Sequence, residues 1–260
     1  MSAVAMTTTP VGRMRALARA ELTLLGRSKG TLFAALFVPF IIPVSMKQAA
    51  EGMDLKGTGL SVGTVVLPSA LGFSLLFAVY SALTAVYVAR REELVLKRLR
   101  TGELRDHEIL VGAALPSVVI GLVQSVILIA GCLVLLDAGA PSAPHLVVLG
   151  IAAGVVMFAA LAAVTGSFAR SIESAQVLSM PMIFISMLGS GLFIPFEVMP
   201  DKVAAVAELL PLSSVIELIR GGWAGHLSNG DVLTAVATTV AWTLLSVFAV
   251  RRWFRWEPRH

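Results

Sequence analysis

ARREELVLKRLRTGELRDHE, residues 89–108, is the stretch that decides how this chain folds. Eleven of its twenty residues are charged, whereas residues 62–89 and 109–136 on either side contain no charged residue. Each flanking run is longer than the ~20 residues that a helix needs to cross the hydrocarbon core of a bilayer. The charged segment is therefore predicted to lie on one side of a membrane, held between two crossings.

The composition extends this prediction to a polytopic membrane protein. Hydrophobic residues make up 57% of the 260 residues, charged residues make up 14%, and the mean hydropathy is +0.87. The apolar runs are too long for the core strands or core helices of a soluble protein. We expect an all-α fold whose residues 31–250 form six transmembrane helices: Thr31–Met46, Val62–Val88, Ile109–Leu136, Leu146–Ala169, Ala175–Pro195 and Val232–Val250.

The distribution of lysine and arginine predicts the orientation. If both termini are cytoplasmic, sixteen of the twenty Lys and Arg residues fall in cytoplasmic segments and four in outside loops. This asymmetry follows the positive-inside rule and requires an even number of spans. We expect a multi-pass protein of a bacterial cell membrane, with residues 1–30 and the basic tail 251–260 in the cytoplasm. Because the basic residues flank the spans, the net charge of +4 does not indicate binding to nucleic acid.

Two cytoplasmic segments are candidate interaction surfaces. Residues 11–29 have the pattern of an amphipathic helix with one apolar stripe: Met14, Leu17, Ala18, Leu22 and Leu25. Such a helix can lie in the membrane interface with its apolar side down, or it can pack on a neighbouring domain. Residues 89–108 can form a solvated hairpin that merely orients the chain, or a docking helix for a soluble partner. Trp253 and Trp256 in the tail are expected to anchor it at the interface.

The groups that membrane enzymes and ion-coupled carriers need are missing from the predicted spans. No HExxH, CxxC or GxSxG motif lies within a span, and no Asp, Glu, Lys or Arg lies away from a span end. Ion coupling needs an ionisable group at depth. The chain also lacks the P-loop motif GxxxxGK[ST] that cradles ATP phosphates. We therefore expect no catalytic site, metal or cofactor on this chain, and energy that comes from a separate ATPase.

Two further patterns concern packing. Gly150-xxx-Gly154 and Ala159-xxx-Ala163 on the fourth predicted span can form small-residue faces that allow helices to approach closely, or they can be the small residues found in any apolar helix. Residues 197–225 contain two short amphipathic patterns separated by Pro211. This segment is expected to form a short external helical hairpin, either dipping into the membrane or lying on the headgroups.

Three segments together resemble the type-2 ABC transporter permeases, a family that includes drug, antibiotic and polysaccharide exporters of the daunorubicin-resistance class. GLFIPFEVMP (191–200) followed by ELLPLSSVIELIRG (208–221) is similar to the region between that family's last two spans. RREELVLKRLRTGELRDHEILVG (90–112) is similar to its cytoplasmic coupling segment, and the amphipathic N-terminal helix to its elbow helix. Many members have Gly-Thr and Thr-Pro where this chain has Leu94-Val95 and Gly102-Glu103.

The resemblance implies partners and a function. Two such subunits would pair, as a homodimer or with a paralogue, surrounded by membrane lipid. Two ABC ATP-binding subunits would dock beneath them and carry the ATP and Mg. The cargo would be a hydrophobic or amphipathic compound. An ion-coupled carrier and a non-transporting membrane scaffold or immunity protein remain alternatives.

The resemblance also implies roles for individual residues. The coupling segment would contact the ATPase through Arg91, Glu92, Glu93, Lys97 and Arg98. The elbow would contribute Arg13, Arg15 and Arg19. A methionine and phenylalanine stripe is adaptable, and the cargo path would include Met180, Phe184, Met187 and Gly191. Plain helix packing explains the same stripe.

Overall fold

All regular secondary structure in the described part of the chain is helical. This computed structural model describes residues 9–30, 32–33, 62–135, 139–192, 200–225 and 227–257. Its helices are α1 (Pro10–Arg27), α2 (Val62–Ser74), a π-helical segment (Leu75–Ser81), α3 (Ala82–Glu92), α4 (Val95–Arg100), α5 (Asp106–Leu135), α6 (Pro144–Phe168), α7 (Ile172–Gly189), α8 (Asp201–Ala207), α9 (Pro211–Ala224) and α10 (Asn229–Trp253). No strand occurs in these ranges, and the predicted all-α class is confirmed.

Among the described residues, five helices are long and apolar enough to cross a membrane: Val66–Glu92, Asp106–Val134, Pro144–Phe168, Ile172–Gly189 and Asn229–Trp253. They correspond to the second to sixth predicted spans. The first predicted span, Thr31–Met46, lies outside the described residues apart from positions 32 and 33, so the count of six stays a prediction.

The fifth predicted span, Ala175–Pro195, has the wrong bounds. Its helix, α7, begins at Ile172 because Ser171 and Ser174 form a capping box. It ends at Gly189, and Gly191 two residues later has a φ of 68°. A polar cap thus sets the start of the helix and a left-handed glycine follows its end, and a search for apolar residues detects neither feature.

A π-helical segment joins α2 to α3 and carries polar contacts between helices. Just before it, the hydroxyl of Ser74 donates to the side-chain oxygen of Gln124 on α5 at 2.6 Å, and both residues are buried. Within it, the hydroxyls of Tyr80 and Thr165 on α6 lie 2.9 Å apart. Buried hydroxyls paired in this way fix the rotation of the span against its neighbours.

Helix α6 is the centre of the bundle, and glycine lets α9 approach it closely. A Cβ added to Gly150 would lie 3.1 Å from Cβ of Leu218, and one added to Gly154 would lie 2.9 Å from Val215. On the facing helix, a Cβ on Gly222 would lie 3.0 Å from the backbone nitrogen of Val147. The prediction of a close-approach face at Gly150 and Gly154 is confirmed.

The hairpin of α8 and α9 reaches far into the bundle. At its open end, the backbone N–H of Ala143 donates to the carbonyl of Gly222 at 2.7 Å, beside the start of α6. At its turn, the indole N–H of Trp242 donates to the carbonyl of Leu209 at 2.9 Å. Trp242 lies near the middle of α10, so residues 208–210 are level with the middle of the last span.

The depth of this hairpin corrects one expectation. In the five spans of the described residues, charged side chains do lie only near the ends. The hairpin, however, brings Glu208, which is exposed, to the level of mid-span. The sequence pattern missed this because it treated residues 197–225 as lying outside the spans.

Candidate functional site

The charged segment contains the short helix α4, which one buried apolar residue holds against the bundle. Helix α3 ends at Glu92, and α4 follows as Val95–Arg100 after a two-residue turn. Leu96 on α4 is completely buried. Of the residues predicted to meet a partner, four are exposed: Glu92, Glu93, Lys97 and Arg98. An acidic pair and a basic pair therefore lie on the outer surface of this end, which we call the charged end (residues 89–108).

The turn between α3 and α4 depends on a left-handed residue. Leu94 has φ 59° and ψ 15°, the one non-glycine residue with positive φ in the described ranges. Its N–H donates to the carbonyl of Arg91 at 3.0 Å, and its own carbonyl accepts from Arg98 at 3.0 Å. This conformation costs a side-chain-bearing residue ~1–2 kcal/mol.

Arg91 is not on the partner-facing surface, which corrects its predicted role. Its side chain is 1% exposed. The guanidinium donates to the carbonyl of Gly166 at 2.9 Å and to the carbonyl of Ala169. These carbonyls lie at the end of α6, where helical partners run out and the helix dipole favours a cation. Arg91 therefore ties the charged end to the central helix.

The N-terminal helix α1 is tied to the same end by two ion pairs. Arg13 binds Glu108 on α5 in a two-pronged arrangement, with N–O distances of 2.9 and 3.2 Å. Arg90 binds Glu21 at 2.5 Å, and Glu21 is 3% exposed. Both acids are shielded from water, which makes these pairs costly to break.

The apolar stripe of α1 is directed at the protein. Leu17 packs so tightly on α5 that a Cβ on Gly112 would lie 2.1 Å from its Cδ2. Met14, Ala18 and Leu25 are half-buried, whereas Leu22 is exposed. Of the two predicted placements, packing on the protein therefore describes this stripe, and Arg15 and Arg19 are on the exposed side.

The C-terminal tail folds over the charged end. Lys97 binds Glu257 at 2.7 Å, and this hydrogen bond holds the pKa of Glu257 below its usual value. The guanidinium of Arg100 lies 4.9 Å from the ring centre of Trp256. Trp256, predicted as an interfacial anchor, thus packs on the charged segment instead, while Trp253 is exposed. The Lys97–Glu257 pair is solvent-exposed, so it contributes little to stability.

The four residues predicted to line a cargo path do not share one environment. On α7, Met180 is 46% exposed and Phe184 is 56% exposed. Met187 is half-buried against the core, and the carbonyl of Gly191 accepts a hydrogen bond from Arg220 at 2.6 Å. The first two therefore lie on an open apolar face, and the last two belong to internal packing.

Sequence reasoning missed the two acids that hold α1. Glu21 is the one acid in a helix with four arginines, and Glu108 lies with Asp106 in the first turn of α5, whose later residues carry no charge. An isolated acid among cations is a usable signal for an ion pair. What the pattern could not supply was the partner, because Arg13 and Glu108 are 95 residues apart.

Comparison with known proteins defines the class. The sequence profile of the ABC-2 type transporter family matches residues 13–223, from α1 through α9, and the chain belongs to this family. It is thus a multi-pass membrane component of a transporter, and ABC ATP-binding subunits are in general the partners of such permeases. The chain is also 32% identical over 103 residues to "Putative transport permease YvfS" of Bacillus subtilis (strain 168). That match covers 38% of this chain and 40% of the relative's length.

The structural role of Arg91 is testable without any partner. Arg91→Gln should lower the free energy of unfolding by about 2 kcal/mol, because the carbonyls of Gly166 and Ala169 lose a charged donor. The measurement is thermal unfolding of the detergent-purified chain, followed by the reactivity of the buried thiol of Cys132. Arg98→Gln, at an exposed position, is the control and should leave the midpoint unchanged. Equal midpoints for Arg91→Gln and the native chain would refute the role.

The left-handed turn at Leu94 gives a second prediction. Leu94→Gly should be more stable than Leu94→Ala by about 1 kcal/mol, because only glycine adopts positive φ without penalty. The neighbouring Val95 is helical and supplies the matched control. There the order should reverse, with Val95→Ala more stable than Val95→Gly by about 1 kcal/mol. The same thermal assay applies, and equal stability of the two variants at position 94 would contradict the assigned turn.

Proposed function

We propose that this chain is the permease subunit of an ATP-driven exporter in a bacterial cell membrane, with both termini in the cytoplasm. It would move a hydrophobic or amphipathic compound, such as a drug, an antibiotic or a lipid-like molecule, out of the cell. The supporting observation is an exposed charged surface formed by Glu92 at the end of α3, Glu93 in the turn, and Lys97 and Arg98 on the short helix α4. Two ABC ATP-binding subunits, which hold the ATP and Mg, would dock on this surface.

The contacts behind this surface suit the transmission of force. The side chain of Leu96 on α4 is completely buried. A displacement of α4 must therefore move the part of the bundle that surrounds Leu96. Arg91 passes the displacement to the end of α6, and Arg90 passes it to α1 through Glu21. Helix α6 in turn packs against the hairpin through Gly150 and Gly154. A push at the charged end therefore has a continuous packed route to the opposite end.

The open apolar face of α7 suits pairing of two copies around a cargo path. Met180 and Phe184 lie on this face, beside the exposed Val177 and Leu188. We assign the face to the interface with a second permease subunit, either a copy of this chain or a paralogue. Flexible methionine and planar phenylalanine side chains adapt to apolar molecules of varied shape. ATP binding by the partners would close the two halves and open the path outward.

Charge reversal on the docking surface tests the proposal. Glu92→Lys combined with Glu93→Lys should sharply reduce copurification of the ATP-binding subunit and the ATP hydrolysis of the reconstituted complex. The reason is that like charges across an interface oppose association. Glu92→Asp with Glu93→Asp keeps the charges and serves as the control. Normal copurification and hydrolysis by the reversed variant would show that docking occurs elsewhere.

One observation favours an ion-coupled carrier as a second candidate. Glu208 is a carboxylate level with the middle of α10, and proton- or cation-coupled carriers place such groups at this depth. Under the ATP-driven proposal, Glu208→Gln should leave ATP-dependent uptake of a hydrophobic fluorescent dye into inverted vesicles within about twofold of native. Uptake that needs no ATP, collapses with the proton gradient and is lost in Glu208→Gln would establish the carrier instead.

A further inference from the structure

We propose that the outward face of α1 is a binding site for anionic phospholipid headgroups, formed by Arg15, Arg19 and Arg27. This inference goes beyond the transport function and does not depend on it. It assigns the polar side of α1 to the membrane, which is the reverse of the placement that the apolar stripe predicts.

The three arginines form a charged row beside small side chains. They are spaced by four and eight residues, so they lie on one side of the helix and span ~18 Å along its axis. Gly12, Ala16 and Ala20 line the same shallow groove, and their size leaves the guanidinium groups accessible. None of the described residues that line the groove is acidic.

Within the described residues, these arginines differ from Arg13 and Arg90 in having no acid to bind. Arg13 and Arg90 are each neutralised by a buried carboxylate. Arg15, Arg19 and Arg27 are exposed and form no ion pair within the part of the chain that the structure describes. The face therefore carries three uncompensated positive charges.

The position of α1 places this face at headgroup level. Its contacts with the bundle are Arg13 to Glu108, Leu17 to Gly112, and Glu21 to Arg90. All of these partners lie in the first two turns of α5 or the last turn of α3. Gly112 is six residues from the start of α5, or ~9 Å along its axis. The headgroup layer on each side of a bilayer is ~5–8 Å thick. The charged first turn of α5 belongs in this layer, so α1 contacts the bundle at about headgroup depth.

The chemistry of the face fits a lipid phosphate. A guanidinium binds phosphate through two parallel N–H donors and gives up its hydration more readily than an ammonium group. Leu24, 54% exposed, borders the same groove and can contact the acyl chain of a bound lipid. The acidic and basic surface for a soluble partner, Glu92 to Arg98, is a separate one at the junction of α3 and α4.

Binding of a short-chain lipid to the purified chain tests the site. Native protein in neutral detergent is titrated with dioctanoyl phosphatidylglycerol and, separately, with dioctanoyl phosphatidylcholine. We expect phosphatidylglycerol to bind more tightly, and binding to weaken at high salt. Each basic residue near a membrane surface contributes about fivefold to affinity for anionic lipid. The triple variant Arg15→Gln, Arg19→Gln, Arg27→Gln should therefore raise the Kd for phosphatidylglycerol at least about tenfold.

A matched control separates a site from net charge. Arg251, Arg252 and Arg255 are exposed at the other terminus, and changing all three to Gln removes the same charge. This control should keep its Kd for phosphatidylglycerol within about twofold. A second test variant with lysine at positions 15, 19 and 27 keeps the charge and should bind with intermediate affinity, since lysine lacks the fork.

Three outcomes would overturn the site. The first is equal affinity of the native chain for the two lipids. The second is an equal loss in the control variant, which would reduce the effect to overall charge. The third is a triple glutamine variant that keeps its lipid preference but no longer copurifies with a soluble ATPase, which would make the face a protein-docking surface. Because all three arginines are exposed, the unfolding midpoint of the variant should equal that of the native chain.

Discussion

The last carbonyls of α6 have no helical partners, and the guanidinium of Arg91 binds two of them. This contact fixes the end of the central helix to the end of α3, from which α4 continues into the charged surface. At this position the helix dipole and the carbonyl groups together favour the buried cation. The contact of Arg91 with α6 therefore sets the position of the charged end relative to the bundle.

At the opposite end of the bundle, close helix packing depends on glycine residues, which have no side chain. Gly150 and Gly154 let α9 lie directly against α6, and the hairpin can then reach the level of Trp242. Without water to compete, close backbone contact and hydroxyl pairs such as Ser214 with Thr239 (2.9 Å) hold helices together. The central helix α6 is thus held to its neighbours in two ways. At one end a charged side chain binds it, and towards the other end close packing does.

Several features of the fold and the site could be predicted from sequence. Long uncharged runs predicted five of the helices, and Gly150 with Gly154 predicted the close approach. The exposure of Glu92, Glu93, Lys97 and Arg98 agrees with a solvated surface on residues 89–108. Arg91 could not be separated from its charged neighbours, because the carbonyls that bind it are 75 and 78 residues away. The depth of Glu208 was hidden for the same reason, since it depends on where α10 lies.

The sequence by itself determined which segments are helices in an apolar environment, because a chain without water must satisfy its backbone internally and its charges must collect at the ends. It also determined the family, through segments whose order and spacing the resemblance covers. Only the tertiary structure decided which charges are buried in pairs and which remain open. Arg13 and Arg15 belong to the same helix and the same basic pattern, yet one binds Glu108 and the other is exposed. That difference depends on the partner that packing brings within reach, and local sequence does not contain it.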